Sequence, residues 1–141
     1  MSDTTTAPAA ADAATQAALE RLNTVIDRLI APDGCPWDST QTPESLTEYV
    51  IEECHELVDA IRSGKTADMV EELGDVAFLI LMIGKLMARA GGPSLADALE
   101  VEAAKMVRRH PHVFSDTTYE NQSEQLKDWD RIKREEKAAA D

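Results

Sequence analysis

The segment "IEECHELVDA" at residues 51–60 sets Glu52, Glu53, Glu56 and Asp59 among apolar residues. Read as a helix, it carries Glu52, Glu53 and Glu56 on one side, with no Lys or Arg in the stretch. Like charges at i,i+4 cost an isolated helix roughly 0.2–0.5 kcal/mol per pair. Something outside the segment must offset that repulsion. A second cluster, "EELGD" at 71–75, puts Glu72 and Asp75 at i,i+3 with Glu71 beside them. If the two helices run antiparallel and join at "SGKT", Glu53 and Glu56 come level with Glu72 and Asp75. Four hard oxygen ligands then converge, a donor set suited to Mg²⁺ or Mn²⁺. A divalent ion would turn the repulsion into attraction.

Two other readings compete. A solvated acidic face is the plainer one, but neither cluster carries a Lys or Arg at i+4, and both abut core-facing positions. Glu52-x-x-His55 also matches one Glu-x-x-His unit of a di-iron bundle, a site that needs two such units. Asp75 stands where the second His would fall, so His55 is expected at the surface or against a partner. HExxH and the EF-hand loop are both absent. Cys35 and Cys54 fit no zinc or redox spacing and are expected as reduced thiols of a cytosolic protein.

The elements that must position these residues are helical. Leu19, Leu22, Val25, Ile26, Leu29 and Ile30 repeat with helical period before "APDG". After "CPWDSTQ", Thr42-Pro43 offers an N-cap with Pro at the first helical position. The second helix runs to about Arg62, with Leu46, Val50, Leu57 and Ile61 toward the core and Gly64 stopping it. A third begins near Thr66 and reaches "AGG" at 90–92, a span of ~24 residues or ~36 Å. Ser94 caps a fourth that Pro111 ends, and the loop "HVFSDTTYENQ" leads to a last helix with a fraying tip. The expected fold is all-α, a bundle of about five helices.

At 141 residues the chain is expected to form one domain over 15–141, preceded by a disordered tail over 1–14. With 27 acidic against 14 basic residues, its formal charge of −13 argues against a nucleic-acid polymer or an anionic membrane as partner. The apolar run "VAFLILMIGKLMA" contains Lys85 and falls short of the ~20 residues a membrane span needs. It is expected as a deeply buried helix. Because residues 76–83 are apolar nearly all round, a second subunit is expected to cover one side, giving a homo-oligomer, dimer or larger.

Taken together, these segments closely resemble the MazG family of nucleoside triphosphate pyrophosphohydrolases. The likeness lies in EExxE (52–56), fifteen intervening residues, then ExxD (72–75), along with "GCPWD" (34–38), "RRHPHVF" (108–114) and "WDRIK" (129–133). The resemblance implies an all-α fold, Mg²⁺-dependent cleavage between the α and β phosphates, and release of nucleoside monophosphate and pyrophosphate. It also implies that Glu53, Glu56, Glu72 and Asp75 hold the metal, with Mn²⁺ as a substitute, and that Glu52 orients or deprotonates the attacking water. Lys105, Arg108 and Arg109, at i, i+3 and i+4, are placed as phosphate contacts, with Trp129 and Lys133 as ring and phosphate contacts. Helix C-terminal charge would also account for "RRH", and core packing for Trp129. Trp37 and Asp38 either wall the base or anchor their loop. The expected role is cytoplasmic removal of unwanted nucleotides. Alternatives are a narrower dUTP- or dCTP-type pyrophosphatase and a non-catalytic helical interaction module.

Overall fold

The alanine-rich run before Leu19 has high helix propensity, and helix α1 (Thr6–Ile30) begins inside it. The computed structural model describes residues 6–140, so the first five residues of the expected tail lie outside the described ones. From residue 6 the expected tail is helical, and positions 9–21 stay exposed. Every regular element among the described residues is a helix. They divide into two compact units, one reaching to Ser94 and the other starting at Leu95, where the sequence suggests one domain.

In the first unit, α1 buries Ile26 and Ile30. The chain then doubles back, with the Gly34 and Cys35 amides donating to Ala31 O and Leu29 O at 2.8 Å each. A Cβ at Gly34 would lie 2.3 Å from Arg28 O and 2.4 Å from Leu29 O, so no side chain fits. The single-turn helix α2 (Pro36–Ser39) follows where a loop is expected. Thr42 and Ser45 then cap reciprocally: Ser45 N donates to Thr42 Oγ1 at 3.1 Å, and Thr42 N to Ser45 Oγ at 2.9 Å. This start leads through a 3₁₀ turn, Glu44–Leu46, into α3 (Thr47–Ser63).

Gly64 ends α3 in the left-handed region at φ 72°, which glycine adopts without penalty. Helix α4 (Thr66–Arg89) starts two residues later and has the 24 residues the pattern predicts. The short turn folds α3 and α4 into an antiparallel hairpin, the main packing of this unit. Leu46 of the entering turn and Ala60 of α3 are buried with Leu79, Leu81, Met82 and Leu86 of α4. Ile61, expected in the core, is instead 56% exposed. It shares a side of α3 with Ile51 and Val58, which are also exposed. The apolar run of α4 is likewise covered on only part of its circumference, since Ile80 is 48% exposed.

Two cations of α4 tie this hairpin to α1. Lys85, the charge inside the apolar run, reaches Asp27 at 2.6 Å. Arg89 donates to Ile30 O at 2.9 Å and to Ser39 O at 3.2 Å, satisfying carbonyls at the ends of α1 and α2.

The second unit holds α5 (Leu95–Arg109), the single turn α6 (Pro111–Phe114) and α7 (Gln122–Ala140). Asn121 caps α7, its Oδ1 accepting from Glu124 N at 3.0 Å. Ile132 is buried, and a chain of ring contacts links Trp129 to His110, His110 to His112 and His112 to Tyr119. No helix among the described residues is long and apolar enough to cross a membrane.

Candidate active site

The hairpin turn sets the register of the carboxylates. With only Gly64 and Lys65 between the helices, the last turns of α3 face the first turns of α4. Carboxylate oxygens of Glu53, Glu56 and Glu72 all lie within 4.8 Å of one another. Asp75 stands outside this tight group but adds its repulsion to both Glu53 and Glu72. Glu52 and His55 are exposed, neighbouring the cluster along α3.

Burial makes this proximity expensive. Glu53 Oε2 and Glu72 Oε2 are closed off from solvent and have no hydrogen-bond donor. Loss of hydration, then the Glu56 carboxylate, push the Glu53 carboxyl up to about 7. Burial and Glu56 raise Glu72 as well. Polar atoms shut away without a partner cost about 1–3 kcal/mol in proteins, more if charged. The donors here are hard oxygens with unspent lone pairs, and Mg²⁺ or Mn²⁺ is the chemistry that fits them.

Beside the carboxylates lies a small cavity of ≈ 200 Å³, lined by Trp37, Tyr49, Glu53, Asp75, Phe78 and Leu79. Trp37 is 46% exposed and meets Tyr49 edge to face, ring centres 5.6 Å apart. Asp38, its neighbour, is buried. Tyr49 and Phe78 escape a sequence reading because they belong to no chemical motif. Their one signal is position, four residues before Glu53 and three after Asp75.

The remaining singled-out residues belong to the second unit, and each cation is already paired there. Lys105 reaches Glu102 at 2.7 Å, and Lys133 lies 3.9 Å from Asp130. Arg108 and Arg109 both bind Glu136, at 2.6 and 2.8 Å, and hold its carboxyl down at about 2, Arg109 contributing most. Arg109 also sits 5.8 Å from the Trp129 ring centre, within cation–π range. Tyr119 donates to Asp128, which Arg131 also binds; these contacts raise the tyrosine and lower the aspartate. Glu136 has no signal in a linear reading. Its partner Arg109 is 27 positions away.

The family model for the MazG nucleotide pyrophosphohydrolase domain matches residues 41–114, which contain the whole carboxylate cluster. The Escherichia coli (strain K12) nucleoside triphosphate pyrophosphohydrolase is 40% identical over 121 residues, covering 85% of this chain and 46% of that protein. The Bacillus subtilis protein YabN is 43% identical over 113 residues, covering 80% of this chain and 23% of that protein. The chain thus spans less than half the length of these relatives. A crystal structure of a mazG-related protein from Thermotoga maritima superposes with a TM-score of 0.68 at 29% identity, covering 82% of this chain and 98% of that one.

Proposed function

Because this chain belongs to the MazG nucleotide pyrophosphohydrolase domain family, we propose that it hydrolyses nucleoside triphosphates to nucleoside monophosphate and pyrophosphate. The observation that carries the reading is the set of buried, donorless oxygens of Glu53 and Glu72, pressed against Glu56. Such a cluster suits a divalent cation. Glu53, Glu56, Glu72 and Asp75 would hold Mg²⁺, with Mn²⁺ as a substitute. The bound ion supplies positive charge for the phosphate oxygens and lowers the pKa of water.

The chain's own side chains do the rest. Glu52, exposed beside the cluster, orients the attacking water and accepts its proton. Lys105, Arg108, Arg109 and Lys133 carry the cationic contacts to the triphosphate, and Trp129 stacks behind Arg109. Trp37 walls the base together with Tyr49, while the buried Asp38 anchors the loop that presents Trp37. The name of the Escherichia coli relative supports the substrate class. We further propose that the protein works in the cytoplasm as a homo-oligomer and clears unwanted nucleotides from the pool.

A pyrophosphate-release assay over a panel of natural and modified nucleotides, with Mg²⁺ and with chelator, tests this. Release that needs Mg²⁺ and is abolished in Glu56→Gln is the expected result. Metal-independent release, or none from any triphosphate, would sink the reading.

A further inference from the structure

Arg108 and Arg109 are consecutive on α5, yet both reach across to one carboxylate of α7. Arg108 Nε donates to Glu136 Oε1 at 2.6 Å, while Arg109 Nε and Nη2 donate to Oε2 at 3.3 and 2.8 Å. Each guanidinium therefore uses its side edge on Glu136. Both Nη groups of Arg108 and Nη1 of Arg109 have no partner among the described residues. Two positive charges share one negative, so the cluster keeps a surplus cation. Side-chain exposure is 18% for both Arg109 and Glu136 and 51% for Arg108: the bidentate pair is half-sunk and its neighbour is open.

The other acidic groups nearby have partners of their own. Glu102 pairs with Lys105 at 2.7 Å, though its charge also reaches Arg109. Arg108 lines an open cavity of ≈ 960 Å³ with Thr117 and Tyr119. Of the other carboxylates on that cavity, Asp128 and Glu135 bind Arg131, and Glu124 accepts from the Glu120 amide.

From this geometry we propose that Glu136 is a positioning residue, holding Arg108 and Arg109 as a pair whose free guanidinium ends grip one phosphate group of the substrate. The inference rests on the triphosphate reading above and adds a residue to it. Without Glu136, two adjacent guanidiniums repel each other and their long side chains disperse into solvent. With it, the fork is set before the anion arrives, which removes part of the ordering cost of binding.

The test combines calorimetric binding of inorganic tripolyphosphate in chelator with steady-state kinetics in Mg²⁺. Wild type, Glu136→Gln and Arg108→Ala are compared, with thermal melts to confirm folding. Glu136→Gln should weaken tripolyphosphate and raise KM by about tenfold, the low end of the scale for removing an orienting partner from a ligating side chain. Its kcat should stay within about twofold, because the reacting atoms are untouched. Arg108→Ala keeps the Arg109–Glu136 pair, so it supplies the same readout should Glu136→Gln fail to fold; it too should weaken tripolyphosphate and raise KM. Tripolyphosphate binding that tightens in Glu136→Gln makes Glu136 a competitor of the anion and overturns the proposal. So does an unchanged KM, or a loss confined to kcat. A wild type that turns over no nucleotide, yet binds tripolyphosphate in the expected order, sinks the reaction and leaves the positioning role standing.

Discussion

Glu53 and Glu136 are shifted in opposite directions, and the stability of the metal-free protein should record both. Glu53 holds its proton up to about 7 in the folded chain, against 4.5 when unfolded. The folded state therefore binds more protons across that window, and stability falls as pH rises from 4.5 to 7. Glu136, held down at about 2, stabilises the fold above 4.5 and loses that contribution as pH falls toward 2. Melts in chelator should peak near pH 4.5 and decline toward neutrality; a curve flat from 4.5 to 7 would refute the burial of Glu53. Glu56→Gln or Asp75→Asn should leave the melting temperature in chelator equal or slightly higher, since each removes a repelling charge. Wild type should gain about 2.7 kcal/mol from Mg²⁺ at a hundredfold excess over Kd, and both variants should lose most of that gain. Variants that melt far lower in chelator would mean the carboxylates hold the fold instead. At this scale the acidic half was legible, because charges without partners stand out in a linear sequence. The Glu136 clamp was not, because a partner 27 residues away leaves no local trace.

Among the elements, the hairpin was the most readable part. Its period, the Thr66 start and the glycine stop each announce α3 and α4 independently. Helices α2 and α6 have four residues each, too few to show a period. The misplaced Ile61 has a different cause: periodicity tells which residues share a side, but not which side a neighbour covers. The turn after α1 deserves its own test. Gly34→Ala drives a Cβ to 2.3 Å from a backbone carbonyl, where no flexible atom can yield. It should cost about 1–3 kcal/mol in urea unfolding, the range for overpacking. Arg89→Ala, which frees the Ile30 carbonyl, should cost about 1.5–3 kcal/mol, the range for hydrogen bonds to a charged donor. If both unfold like wild type, the α1–α2 corner does not contribute to stability.

For the whole molecule, helical class was evident from the lack of any alternating stretch, whereas the "GGPS" run at 91–94 reads as a turn between helices and does not by itself announce the division at Ser94–Leu95. Exposed apolar residues occur in both units, and six of them form stripes on the hairpin. Ile51, Val58 and Ile61 line one side of α3, and Val70, Leu73 and Ile80 line one side of α4. At about 100° per residue, each stripe lies away from the clustered carboxylates of its own helix. Covering side chains of this size yields up to about 1.5–3 kcal/mol each, which is the argument for a second copy lying against the hairpin. Sedimentation should find no monomer at micromolar concentration, and Leu73→Glu combined with Ile80→Glu should produce one. A wild-type monomer with full activity would remove the shared-face idea.

The two-residue link at Gly64–Lys65 also constrains how the gene can change length. One residue inserted in α3 after Glu56, or in α4 before Glu72, would swing its carboxylates about 100° around the helix axis. The same codon placed at Gly64 would enlarge an exposed tip and leave both faces in register. Tolerated insertions and deletions between the two acidic pairs should therefore gather at that tip. Elsewhere in the spacer they should come in steps of three, four or seven, the lengths that return a helix to nearly the same bearing.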